Sequence, residues 1–264
     1  MSRVLCLASL FLSTAGCGSS RELATSATVA LKVAAASDLQ ATLPVLAERF
    51  KLSHGIAIVP VFGSSGQLAQ QIEQGAPYDV FLSANKAFVA KLAAKGTVKA
   101  DSVTPYTRGL LVLVVNRKSD VTVNGLADLT NPEVKHIAIA NPDVAPYGLA
   151  AKQALERAGL AAVTPKLVQA ESVRIALQFV QTGNAEVGLV AHSAADVPEV
   201  RRIDVDRTLY DPVMQYLGIV AHTENPAAAR TFADFLLSDE SQKQFASFGF
   251  IPIESQRAVT GTDR

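Results

Sequence analysis

FGSSGQLAQQIEQGAPYDVFLSA, residues Phe62–Ala84, is the stretch whose reading decides the fold. Phe62 closes the apolar run Ile56–Phe62, a strand candidate. Small and hydroxyl residues follow at Gly63–Gly66. Leu68 and Ile72 then stand at helical spacing, and Val80–Ser83 is a second short apolar run. Strand, tight turn, helix and strand within so few residues is a β-α-β unit.

The same rhythm extends in both directions. Further strand candidates are Leu31–Ala36, Leu110–Val115, Ile137–Ala140, Val187–Ala191 and Met214–Val220. Helical spacing recurs at Leu39, Leu43, Leu46 and Phe50, and again at Val173, Ala176, Leu177 and Val180. This alternation predicts an α/β protein with open, mostly parallel sheets flanked by helices. Leu110–Val115 and Met214–Val220 are the long strands suited to cross between two lobes. From Asn225 the signals are helical, with Asn225 as cap, Pro226 at the first helical position and a second cap at Ser238. A C-terminal helical segment returning to the first lobe makes that lobe discontinuous; a single doubly wound domain with extra helices is the alternative.

Composition narrows the class. The 264 residues are 49% hydrophobic and 18% charged, which is globular composition. Lys plus Arg equals Asp plus Glu at 24 each, so no basic field points to nucleic acid. Beyond the N-terminus no apolar run approaches the roughly 20 residues of a membrane helix. The N-terminus itself reads as a secretory signal: Arg3, the apolar stretch Val4–Leu12, then Thr14-Ala15-Gly16-Cys17. That tetrapeptide resembles a bacterial lipobox with threonine in the usual leucine position, so lipidation at Cys17 and ordinary cleavage before Leu31 are the two expectations. Residues 18–30 read as a tether. Cys6 lies within the signal, which leaves the folded part without cysteine and excludes disulfides and thiolate metal sites. His54, His136, His192 and His222 share no metal-ligand spacing.

Four places repeat one design, a strand end followed by small or hydroxyl residues and a helix start. They are Ala34–Asp38, Phe62–Gly66, Asn141–Gly148 and Glu171–Arg174. Helix N-termini expose free N–H groups and carry roughly +0.5 charge each, so four aimed into one cleft amount to about two positive charges without a lysine or arginine. That suits a dehydrated dianion. Each element alone has a plainer reading, since a serine before a helix is usually an N-cap. Gly63–Gly66 has neither the Walker nor the nucleophile-elbow spacing.

The motifs AAAS at Ala34–Ser37, the Phe62–Ala84 stretch, NPDVAPYG at Asn141–Gly148, ESVRIAL at Glu171–Leu177 and FGFIPI at Phe248–Ile253 together resemble the periplasmic molybdate-binding proteins of molybdate ABC transporters. The resemblance covers Leu31–Ile253. It implies a two-lobed periplasmic-binding-protein-like fold, with lobe I at residues 31–111 and 218–264, lobe II at 112–217 and a two-strand hinge. It implies a monomeric solute-binding subunit, not an enzyme, without cofactor and without nucleic-acid partner. Its partner is an inner-membrane ABC permease, and its location is periplasmic or otherwise extracytoplasmic. The ligand implied is molybdate or tungstate, the alternatives being another tetrahedral oxyanion such as sulfate or phosphate, or an enzyme or regulator on the same fold. Carried over by motif, the oxyanion-binding residues are the hydroxyls of Ser37 and Ser65 and the backbone donors of Tyr147 and Val173. Where some members place a tyrosine, this chain has Ala191. Asp38 is expected to turn away and cap free amides, Pro44 to delay or kink the first helix, and Arg174 to be structural.

Overall fold

The computed structural model describes residues 29–253. The expected signal peptide with Cys17, and the tether as far as Thr28, lie outside the described residues. The chain runs through β1 (Ala30–Ala36), a 3-10 turn at Ser37–Leu39, α1 (Leu43–His54), β2 (Ala57–Gly63), α2 (Ser65–Glu73), β3 (Val80–Ser83), α3 (Lys86–Ala94) and β4 (Thr104–Gly109). It continues through β5 (Leu111–Asn116), β6 (Ile137–Ala140), α4 (Pro146–Arg157), β7 (Leu167–Ala170), α5 (Val173–Gln181), β8 (Val187–Ala191) and β9 (Val200–Asp204). It returns with β10 (Val213–Ile219), α6 (Pro226–Leu236), α7 (Asp239–Ser247) and β11 (Ile251–Pro252).

The strands form two sheets, ordered β11-β4-β10-β3-β1-β2 and β7-β6-β8-β5-β9. Helices flank both, in the two-lobed α/β arrangement expected. The sheets are mixed, however, with four parallel and five antiparallel pairings. The parallel half of each sheet is the β-α-β part, β2-β1-β3 and β7-β6-β8. The antiparallel half is built by chain that has crossed between lobes and by its neighbours: β5 enters against β8 and β9, and β10 returns between β3 and β4.

The crossings correct two expectations. Leu110 separates β4 in the first sheet from β5 in the second, so the outward crossing is a break between two strands and not one long strand. All of β10 pairs in the first sheet, so the boundary expected between 217 and 218 falls inside a strand; residues 213–217 belong to lobe I. The return crossing is the segment from Val205 to Pro212. Within it the Tyr210 hydroxyl accepts the Leu111 N–H at 3.1 Å and ties the two crossings together.

Strands β3, β5, β6 and β8 are buried along their whole length. That is why they read as unbroken apolar runs. In the first lobe, α6 and α7 complete the core on one face of the sheet: Phe232 and Phe245 join Leu31, Leu43 and Phe50, with the Phe50 and Phe232 rings 5.0 Å apart. The lobe is therefore discontinuous in sequence. Among the described residues no helix is long and apolar enough to cross a membrane.

Candidate functional site

The parallel halves of the two sheets face each other with the carboxyl ends of β1, β2, β6 and β7 at the cleft, the usual place for ligands in open α/β sheets. A small cavity of about 10 Å³ lies there, lined from the first lobe by Ser37, Asp38 and Ser65 and from the second by Pro146, Tyr147 and Val173. All four expected oxyanion-binding residues thus line one cavity, and each is buried.

The two serines are not caps. At α2 the N-cap is Ser64, whose hydroxyl accepts the Gln67 N–H at 3.4 Å; at α5 it is Ser172, which accepts the Ile175 N–H at 3.4 Å. Ser65 is instead the first residue of α2, and its hydroxyl oxygen accepts the Ala84 N–H at 3.0 Å. With that oxygen engaged, the Ser65 O–H proton is directed elsewhere and can serve a ligand. Ser37 has no hydrogen bond from its hydroxyl among the described residues, and the turn it opens has no side-chain cap. Tyr147 is the second residue of α4, after Pro146, and Val173 the first of α5. Their N–H groups belong to the first turn, where no carbonyl of the same helix accepts them.

The first of the four helix starts is shorter than expected. Ser37–Leu39 is one 3-10 turn, and α1 opens only at Leu43 with Pro44 in its first turn, where proline costs nothing. Three α-helix N-termini therefore face the cavity, equivalent to about 1.5 positive charges. Gly148 lets α4 press onto β6, since a Cβ there would overlap the Ala140 carbonyl.

The lobes are closed over the cavity. The Gly66 N–H donates to the Val144 carbonyl at 2.9 Å, the Ser193 hydroxyl to the Asp38 carbonyl at 2.9 Å, and Gln67 Nε2 to Glu171 Oε1 at 2.7 Å.

Asp38 does more than the capping expected of it: the backbone N–H groups of Asp38 and Leu39 act on its carboxyl, but side chains act more strongly. Its carboxyl is buried, and its Oδ2 accepts from the Tyr147 hydroxyl at 2.9 Å and from Gln215 Nε2, while Oδ1 has no partner among the described residues. Burial pushes its pKa up from 3.8 to about 6, against the hydrogen bonds from Gln215 and Tyr147 that lower it. Gln215 in turn accepts from the Tyr106 hydroxyl at 2.9 Å. Burial and the Asp38 charge hold both Tyr106 and Tyr147 phenols well above the ordinary tyrosine range. Sequence reading passed over Tyr106, Ser193 and Gln215. The available signal was a glutamine inside the apolar run Met214–Val220, since a buried amide needs partners.

Arg174 stays out of the cavity. It lines a wider groove at the cleft mouth and donates to Gln181 Oε1 at 3.1 Å. Ala191 is fully buried at the end of β8 and offers no side-chain donor. His192, lowered in pKa by burial and then by Arg202, packs where a Gly249 side chain would otherwise stand. Among the described residues no cluster of three or more His, Cys, Asp or Glu is arranged to hold a metal ion.

A profile of the bacterial extracellular solute-binding proteins matches residues 31–251. The chain belongs to that family. It is 35% identical over 225 residues to the molybdate-binding protein ModA of Azotobacter vinelandii, covering 83% of this chain and 89% of the relative. It is also 35% identical over 199 residues to the ModA protein of Rhodobacter capsulatus, covering 75% and 78%. The solved periplasmic molybdate-binding protein of A. vinelandii superposes with a TM-score of 0.79 at 32% identity, covering 85% of this chain and all of that one. Membership places this solute-binding protein in the extracytoplasmic class, and the family is one of binders, not enzymes.

Proposed function

We propose that this chain is the solute-binding subunit of an ABC importer and captures molybdate or tungstate between its lobes. The oxyanion is held by neutral donors, the hydroxyls of Ser37 and Ser65 and the N–H groups of Tyr147 and Val173. The observation that carries this reading is their convergence on one cavity from both lobes. Its relatives named for molybdate binding support the choice of ligand. The helix N-termini supply fixed positive potential, and the buried setting strengthens each donor by excluding water.

Capture follows from the hinge. With the lobes apart, Ser37 and Ser65 are separated from Tyr147 and Val173 and a hydrated anion enters. Closure then replaces its water by these donors and presents a two-lobed surface to the inner-membrane permease. No bond is broken. The subunit acts as a monomer, tethered at Cys17 if the lipobox is used; metabolic labelling with a fatty acid and the loss of label in Cys17→Ala test the tether.

One observation favours a second ligand. Asp38 also lines the cavity, and an unpaired carboxylate oxygen is an acceptor for the proton of hydrogenphosphate. A single experiment separates the readings: thermal unfolding of the anion-stripped protein in molybdate, tungstate, sulfate, phosphate or chloride. A ligand at 100 times its Kd stabilises by about 2.7 kcal/mol. Molybdate and tungstate should raise the midpoint, and Ser37→Ala with Ser65→Ala should abolish the rise. A larger rise in phosphate or sulfate reassigns the ligand; no rise in any oxyanion refutes the site.

A further inference from the structure

If the cleft captures an oxyanion as proposed above, something must also hold the lobes shut around it. We infer that Asp38 is the closing pin, a buried carboxylate on one lobe that receives hydrogen bonds from the other only when the cleft is closed, and that Tyr147 serves it through its phenol.

The geometry is specific about which contacts depend on closure. Asp38 stands on the turn after β1, in the first lobe. Gln215 on β10 and Tyr106 on β4 belong to the same sheet as β1, so the chain Tyr106–Gln215–Asp38 persists whichever way the lobes swing. Tyr147 and Ser193 come from the second lobe. The Tyr147 phenol donates to Asp38 Oδ2 at 2.9 Å and the Ser193 hydroxyl to the Asp38 carbonyl at 2.9 Å, both fully buried. Opening removes both at once.

Three features mark this as built. A register shift between Gln215 and Tyr216 leaves Tyr106 as the extra residue of β4, a bulge that re-aims a side chain and here puts its phenol on Gln215. Gly109 ends β4 directly beneath the Tyr147 hydroxyl, where any side chain would displace it. Tyr147 itself is used at both ends: its N–H lies in the first turn of α4 at the cavity, and its phenol reaches past the cavity to the opposite lobe. Closing the cleft therefore seats the N–H donor and engages the pin in one movement. Tyr147 and Asp38 are positioning residues here, acting on how long the closed state lasts.

Stopped-flow tyrosine fluorescence with molybdate as probe tests this on the anion-stripped protein, which has no tryptophan to mask the five tyrosines. Tyr147→Phe keeps the ring and the backbone N–H. It should raise the dissociation rate about ten- to one-hundredfold, the worth of a hydrogen bond to a charged group, and leave the association rate within about twofold. Ser193→Ala should raise the dissociation rate as well, and it decides the matter if Tyr147→Phe does not fold. Adding Asp38→Asn to Tyr147→Phe should change the rate far less than the product of the two single effects, because Asp38→Asn removes only the charge that strengthens the contact Tyr147→Phe has already deleted. Wild-type dissociation rates in Tyr147→Phe and Ser193→Ala, or multiplying effects in the double variant, overturn the pin while anion capture stands. A wild-type protein that gives no molybdate signal overturns the capture reading, and the pin with it.

Discussion

Replacing Asp38 by asparagine should raise the stability of the closed protein at pH 7.5, and the gain should shrink as the pH falls. The sign follows from linkage. The carboxyl has a pKa near 3.8 in the unfolded chain and about 6 in the folded one, so between those values the native state holds a proton that the unfolded state has released. Native stability is then full below about pH 3.8 and is lost as the pH rises through 6. At about 1.36 kcal/mol for each factor of ten, the interval from 3.8 to about 6 is worth about 3 kcal/mol. Asparagine keeps an acceptor oxygen for Tyr147 and Gln215 without the buried charge. Urea unfolding followed by circular dichroism from pH 4 to pH 8 gives both stabilities. The difference, variant minus wild type, should climb by about 3 kcal/mol between pH 4 and pH 7 and stay level above that. A difference flat to within about 0.5 kcal/mol over the range refutes the raised pKa, and a difference that falls with pH means that the hydrogen bonds outweigh burial.

Other substitutions separate ligand contacts from architecture. Ser37→Ala should leave the anion-free stability within about 0.5 kcal/mol, since its hydroxyl has no protein partner among the described residues, yet weaken molybdate binding at least tenfold by calorimetry. Ser65→Ala should lose binding and also about 1–3 kcal/mol of stability, because the buried Ala84 N–H loses its acceptor. Gly66→Ala places a Cβ 2.9 Å from the Val144 backbone of the opposite lobe. It should wedge the cleft, weakening binding more than tenfold with little change in anion-free unfolding; tight binding in this variant means that closure does not bring these backbones together. Ser172→Ala should cost about 1 kcal/mol through loss of the α5 cap, read in a thermal melt.

The parts legible in the sequence are those set by local rules. Strands buried on both faces announce themselves as apolar runs, as Val80–Ser83 and Ile137–Ala140 do, and Pro146, Pro226 and Ser238 mark helix starts by cap chemistry alone. The hydroxyl and glycine turns after the strands were readable for the same reason. What escaped was decided at long range. Thr104–Gly109 holds a proline and an arginine and reads as loop, yet β10 and β11 enclose it on either side. Val200–Asp204 lies at the sheet edge with only Val200 fully buried, and its charged residues hid it. Asp38 was read from its position in a turn, where capping is the local expectation. Its stronger partners, Tyr147 and Gln215, lie 109 and 177 residues away.

The discontinuity of the first lobe bears on the order in which the molecule comes to exist. Synthesis delivers residues 30–109 first, but their sheet lacks β10 and β11, and Leu31, Leu43 and Phe50 lack Phe232 and Phe245. The second sheet, from Leu111 to Asp204, is contiguous and can mature as soon as it emerges. The earlier-made lobe is thus the later to finish, and until the last helices arrive it is an apolar chain suited to a holding chaperone.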